Sequence, residues 1–194
     1  MKKRQIAIAA ALVIVSTAGL TLTNEKMFEK VQARKVVSMI EGVPGVEVME
    51  LNPLKTGEHP EIVSLIETHF QELLKTQDFV EDYQNITVYT KRAKYIDTYV
   101  VFAKYEMKIK DIYSPVPGLE TFYVKRDEEK SGYQIEREKL DDITKRIIQT
   151  VAAHDDTVAL FEQTEKEYND TLQSDALLHE ALADLQNAYK GSGD

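Results

Sequence analysis

Across residues 99–110 (YVVFAKYEMKIK) one alternate series, Tyr99, Val101, Ala103, Tyr105, Met107 and Ile109, is apolar, while Lys104, Glu106, Lys108 and Lys110 stand in the other. A period of two sustained over a dozen residues is the pattern of a half-buried antiparallel strand. Val100 and Phe102 leave some apolar surface on the second face, near one end of that strand only. Shorter alternating runs at 86–94, 119–126 and 133–137 flank it, joined by turn-forming residues at 94–97, 114–118 and 127–132. Upstream, Ile62, Leu65, Ile66, His69, Phe70, Leu73 and Leu74 recur at three- and four-residue spacing behind Pro60. That spacing predicts an amphipathic helix over 60–76, with proline in its first turn. One helix laid on a four-stranded antiparallel meander is an α+β arrangement.

Helical spacing returns after Arg137. The first piece covers 141–151; a second, capped by Asp155 or Asp156, carries the stripe Val158, Phe161, Tyr168 and Leu172. A third opens at Ser174 or Asp175 and carries Leu178, Leu182, Leu185 and Tyr189. The two stripes differ in phase by about one residue, which predicts a corner between two helices. The second helix is expected to pack partly on the Val100 and Phe102 end, or beside the sheet, with its acidic face in water. Between 41 and 60 the glycines and prolines at Gly42, Pro44, Gly45, Pro53, Gly57 and Pro60 predict a linker holding one short strand at 46–49.

The N-terminus has a different pattern. Lys2, Lys3 and Arg4 precede seventeen uncharged residues, 6–22, followed by the polar Thr23-Asn24-Glu25-Lys26. A basic start before an uncharged apolar run is an export signal, with the basic end left in the cytoplasm. The run is long for a signal-peptide core and short for a spanning helix. Because helix-compatible sequence continues from Met27 to Ile40, it is read as an uncleaved single-pass anchor, the alternative being secretion after cleavage near Ala18. The resulting organisation is a signal-anchor or signal peptide at 1–24, a juxtamembrane helix and linker at 25–59, an α+β domain at 60–137 and acidic C-terminal helices at 138–194, with the domain outside the cytoplasm.

Charge and composition narrow the function. Of 24 basic residues three precede the apolar run, leaving 21 against 33 acids, and residues 151–194 hold ten acids and two bases. That balance argues against nucleic acid, whose phosphates require a basic footprint. Without cysteine the chain has no disulfide, thiol chemistry, iron–sulfur cluster or lipid-modified cysteine. The histidines His59, His69, His154 and His179 fall in no metal-binding pair, so neither a metal nor another cofactor is expected. His69 lies within one residue of the core stripe and reads as a structural histidine; Glu67, two residues away, points to another face and forms no dyad with it. His154-Asp155-Asp156 reads as a helix start, where acids are favoured electrostatically, rather than as a cation site.

Eight of the ten tyrosines lie between Tyr83 and Tyr133. A half-buried sheet accounts for most of them, and Tyr99, Tyr105 and Tyr123 are the candidates for lining a pocket or contact face. The stiff loop at Pro115, Val116 and Pro117 is the other candidate contact. The inward series of the central strand offers Tyr99 and Tyr105 but no acid or base, so no catalytic residue is nominated.

A helix followed by long antiparallel strands in a bent meander resembles the cystatin-like cone of the nuclear transport factor two-like superfamily. The stretches YVVFAKYEMKIKDI, SPVPGLETFYV and SGYQI are similar to uncharacterised membrane-anchored proteins of gut Firmicutes with such a domain, and DDTVALFEQTEKEYNDTLQSD is similar to their C-terminal pattern. The resemblance spans roughly 60–187 and implies a fold rather than an active site, since the superfamily holds isomerases, dehydratases and cyclases beside many non-enzymatic domains. The expectation is a non-enzymatic, anchored, extracytoplasmic domain that binds protein or cell-envelope partners. A small-molecule or lipid carrier using the cone as a pocket comes next, and an enzyme with a cryptic acid–base pair third.

Overall fold

A computed structural model of the chain describes residues 14–16, 20–22, 43–127, 132–136 and 140–181. Within the expected anchor two short strands, β1 (Ile14–Ser16) and β2 (Leu20–Leu22), pair antiparallel. At these six positions the backbone is extended where a spanning helix is expected, in keeping with the β-branched Ile14, Val15 and Thr21. Among the described residues no helix is long and apolar enough to cross a membrane. The remainder of the anchor, the juxtamembrane helix, the turn residues 128–131 and the last part of the third C-terminal helix lie outside the described residues.

The domain is α+β, built on a five-stranded antiparallel sheet in the order β3 (Lys55–Thr56), β4 (Val80–Arg92), β5 (Thr98–Ile109), β6 (Val116–Asp127), β7 (Gly132–Ile135). Helix α1 (Pro60–Thr76) connects β3 to β4, and α2 (Asp142–Ala152) and α3 (Asp155–Ser174) follow β7. The fifth strand, β3, pairs only with Tyr89 and Thr90 of β4. The strand expected at 46–49 is instead irregular chain entering a 3-10 turn, Met49–Leu51. The reason lies in Asn52, whose side-chain amide bonds both the carbonyl (2.9 Å) and the N–H (2.8 Å) of Arg92, groups that a paired strand would otherwise engage.

Two strands begin earlier than their alternation suggests. β4 opens at Val80, and its register on β5 shifts between Val80 and Asp82 and again between Gln84 and Thr87, where Asn85 takes φ 52°. An extra residue in one strand is a bulge, and asparagine tolerates the left-handed conformation. It lets odd-numbered Tyr83 and even-numbered Ile86 and Val88 join one apolar cluster, which is why the polar run at 81–85 does not read as strand. β6 opens at Val116 and runs through Pro117 and Gly118, opposite Glu106 and Tyr105. Gly118 is required because a Cβ there would lie 2.4 Å from the Tyr105 ring.

Helices cover both faces of the sheet. On one, Ile62, Ile66 and Phe70 of α1 pack on Val88, Val101, Ala103, Phe122 and Val124. On the other, Ile147, Ile148 and Val151 of α2 and Leu160 and Phe161 of α3 pack on Val100, Phe102, Leu119 and Tyr123. The β5 residues Val100 to Ala103 are therefore fully buried, with half-buried residues before them at Thr98 and Tyr99 and after them from Lys104 to Lys108. The sheet is thus covered by helices on both faces and not by one helix alone, and α3 runs along it, where packing partly on the Val100 and Phe102 end or beside the sheet is expected. Phe161 sits edge-on to Phe102 at 5.8 Å, Glu167 pairs with Lys104 at 2.7 Å, and Tyr168 and Leu172 join Ile109, Val116 and Leu178 in a further cluster. The Lys104 and Glu167 charges neutralise each other where the apolar surface ends, which lets α3 continue past it.

The helix starts differ as well. Asp141 caps α2 by accepting the Thr144 N–H at 2.6 Å, and Asp175 accepts the Leu178 N–H at 3.0 Å, as the corner requires. At α3 the N-cap position belongs to His154, and neither Asp155 nor Asp156 occupies it. Because Phe161 is buried against Phe102, Phe161→Ala is expected to cost about 3–5 kcal/mol, as truncation of a buried aromatic does. Urea unfolding checks this, and a loss under about 0.5 kcal/mol, the surface value, would place the ring in solvent.

Candidate functional site

The sequence-nominated tyrosines do not converge. Tyr99 and Tyr105 share the α1 face but sit six residues apart on β5, whereas Tyr123, opposite Val100, belongs to the α2–α3 face. Tyr99 packs at a tilt on His59 at 4.5 Å and edge-on to Tyr133 at 5.7 Å; burial, then its hydrogen bond to Tyr133, pushes its phenol up to about 12. Tyr105 packs on Phe70 at 4.9 Å and Tyr83 at 5.4 Å, and burial raises its phenol far beyond the ordinary range. The second candidate contact moves too. Val116 and Pro117 are buried residues of β6 and Pro115 is half-buried, while the neighbouring Tyr113 is exposed, with Lys108 Nζ over its ring at 5.6 Å.

An acid does enter the interior, from β6 rather than β5. Glu120 pairs with Ala103 across the strands, so it points at α1, where His69 Nε2 lies 3.5 Å from its Oε1. Both side chains are buried, and neither of these two atoms has a hydrogen-bond partner. At 3.5 Å the pair is at the far limit of a hydrogen bond. Burial drives the Glu120 carboxyl above its ordinary value, a shift that His69 opposes without cancelling. The signal available in the sequence was parity, since Glu120 stands two residues before the inward Phe122 and four before Val124.

A second buried polar cluster ties the linker to the domain. The fully buried Lys91 ammonium lies 2.8 Å from the Asn52 carbonyl, 3.0 Å from His154 Nδ1 and 2.7 Å from Asp156 Oδ1. Asp156 Oδ2 accepts the Leu54 N–H at 2.7 Å. Burial alone would raise Asp156, but the Lys91 and Leu54 bonds outweigh it and hold the carboxylate low; burial, then the Lys91 charge, lowers His154. Of the two acids at the α3 start, Asp156 thus pairs with a cation, Lys91 of the same chain. Among the described residues no group of three or more metal-type ligands gathers.

Two clefts open at the β4–β5 hairpin end. One, of about 210 Å³, is lined by Asn52, Lys55, His59, Thr90, Arg92 and Tyr99. The other, of about 350 Å³, is lined by Glu47, Arg92, Lys94, Tyr95, Ile96 and Tyr99. Arg92 and Tyr99 belong to both. Around them stand exposed apolar side chains: Ile96 is 93% accessible, Leu51 72%, Val48 58% and Tyr95 51%. Comparison with protein-family models, curated proteins and solved structures returns no match for this chain.

The interior pair predicts a pH dependence. Glu120 has a folded-state pKa raised above its ordinary 4.5, so the associated stability is complete below that value and is lost as pH rises through the raised one. Glu120→Gln lacks this loss. Its stability relative to the natural chain is expected to climb between pH 4 and pH 8, measured by urea unfolding, and a flat difference would mean that the carboxyl is not desolvated.

Proposed function

We propose that the chain is a membrane-anchored, extracytoplasmic, non-enzymatic domain, a variant of the cystatin-like cone, that binds protein or cell-envelope partners through the β4–β5 end of its sheet. One contrast carries this reading. The space between α1 and the sheet is occupied by Phe70, Tyr83, Tyr105 and Phe122, while Ile96, Leu51, Val48 and Tyr95 are left in water around one end. Clustered apolar exposure on a folded domain marks a contact surface. A carrier would instead need an apolar cavity large enough to enclose its cargo. A second reading, an acid–base enzyme, is favoured by the His69–Glu120 pair alone, and both described clefts open at the hairpin end, away from the pair. The extracytoplasmic placement rests on Lys2, Lys3 and Arg4 ahead of an uncharged run.

A photo-crosslinking residue at position 96 is expected to yield adducts in native membranes, and one at Glu162, on the exposed side of α3, none. Adducts from 162 and not from 96 would move the contact surface to the helices. A reporter active only outside the cytoplasm, fused at Asp194, is expected to be active, and replacing Lys2, Lys3 and Arg4 with Glu should impair its export. Activity of a cytoplasm-only reporter at the same point would reverse the orientation.

A further inference from the structure

We infer that the hairpin-end surface recognises an extended peptide carrying a carboxylate between apolar residues, with Arg92 as the carboxylate's partner; this rests on the binding reading above. Arg92 walls both clefts, and its backbone is held on each side by the Asn52 amide, at 2.8 Å and 2.9 Å. Asn52 is itself fixed by Lys91, which donates to its carbonyl at 2.8 Å. The arginine therefore stands on a rigid base while its side chain remains 67% accessible.

Among the described residues its donors are largely unspent. Nη1 lies 3.8 Å from Glu47 Oε1, close enough for attraction but beyond a hydrogen bond, whereas Lys55 in the same cleft is bonded to Glu58 at 2.8 Å. A guanidinium fork takes a carboxylate through two parallel hydrogen bonds. Leu51 flanks this point in one cleft, and Ile96 and Tyr95 flank it in the other. A ligand that fits must put apolar groups on both sides of its anion. An extended peptide does so within three residues, at about 3.3 Å per residue. The clefts, of about 210 Å³ and 350 Å³, each have room for one or two side chains. Glu47, at the same guanidinium, acts as a weak internal competitor.

The test uses the full chain in phosphatidylcholine nanodiscs, panned against a displayed library of random dodecapeptides, with affinities of the enriched peptides read by fluorescence polarisation. Enriched peptides are expected to carry Asp or Glu between apolar residues. Arg92→Gln should weaken them roughly tenfold or more, as loss of a charge-assisted hydrogen bond does. Glu47→Gln should strengthen them, and rising salt should weaken them. The melting temperature of Arg92→Gln should be unchanged, because Asn52 bonds the backbone and not the guanidinium. The inference is overturned if no peptide is enriched, if enriched peptides lack acids, if both substitutions leave affinity unmoved, or if phosphatidylglycerol vesicles bind in place of any peptide. Should crosslinks from position 96 persist in those cases, the carboxylate inference alone falls; loss of both removes the binding reading as well.

Discussion

The architecture turns on the two-sided burial of β5 between Val100 and Ala103. A strand with apolar residues in both alternate series cannot face water on either side, so its sheet must be covered twice. α1 covers the Val101 and Ala103 side, and α2 with the first half of α3 covers the Val100 and Phe102 side. The other features adapt to that demand. The bulge at Asn85 brings Tyr83 and Val88 to one side, Gly118 admits the Tyr105 ring, and the Lys104–Glu167 pair lets α3 continue beyond the apolar patch.

The Lys91 cluster answers a different problem, that of fastening an irregular segment to a sheet. The stretch before β3 has few backbone hydrogen bonds of its own and cannot be held by regular pairing. Lys91, facing the same side as Val100, reaches the Asn52 carbonyl and the α3 start together, while Asp156 takes the Leu54 amide. Burying an ammonium costs heavily unless its donors are met, and here three acceptors lie within 3.0 Å. Such a cluster adds little net stability over an apolar substitute and is better understood as fixing one geometry. The geometry it fixes is the wall of the first cleft.

How much of this was legible follows from where pattern and chemistry agree. The 60–76 helix was readable to the residue because proline, stripe and length concur, and β5 was readable to within one residue because its alternation is long. The first half of β4 was hidden by a phase slip, and the start of β6 by Pro117 and Gly118, residues that usually signal a break. The covering of the second face is not legible in Val100 and Phe102 alone, because the apolar surface there is completed by Leu119 and Tyr123 of the next strand. Glu120 and Lys91 escape the pattern for one reason: each is a charge at an inward position of a strand beside β5, where parity and not residue type sets the face. Arg92 carries no sequence signal, since the amide that holds its backbone belongs to Asn52, forty residues away.

The exposed hairpin end is held by order rather than left loose. Thr98 Oγ1 donates to the Tyr95 carbonyl at 2.6 Å and accepts the Tyr95 N–H at 3.2 Å. Asp97, at φ 53°, receives the Arg126 N–H on its carbonyl at 3.1 Å, and the Arg126 guanidinium lies 3.6 Å from its carboxylate. These bonds fix a turn that places Ile96 outward, when a laxer loop could fold that side chain back onto the sheet. Keeping an apolar side chain in water through a left-handed aspartate is costly to the isolated domain. The partner proposed above would account for such an arrangement, because a surface already rigid loses less conformational entropy on binding.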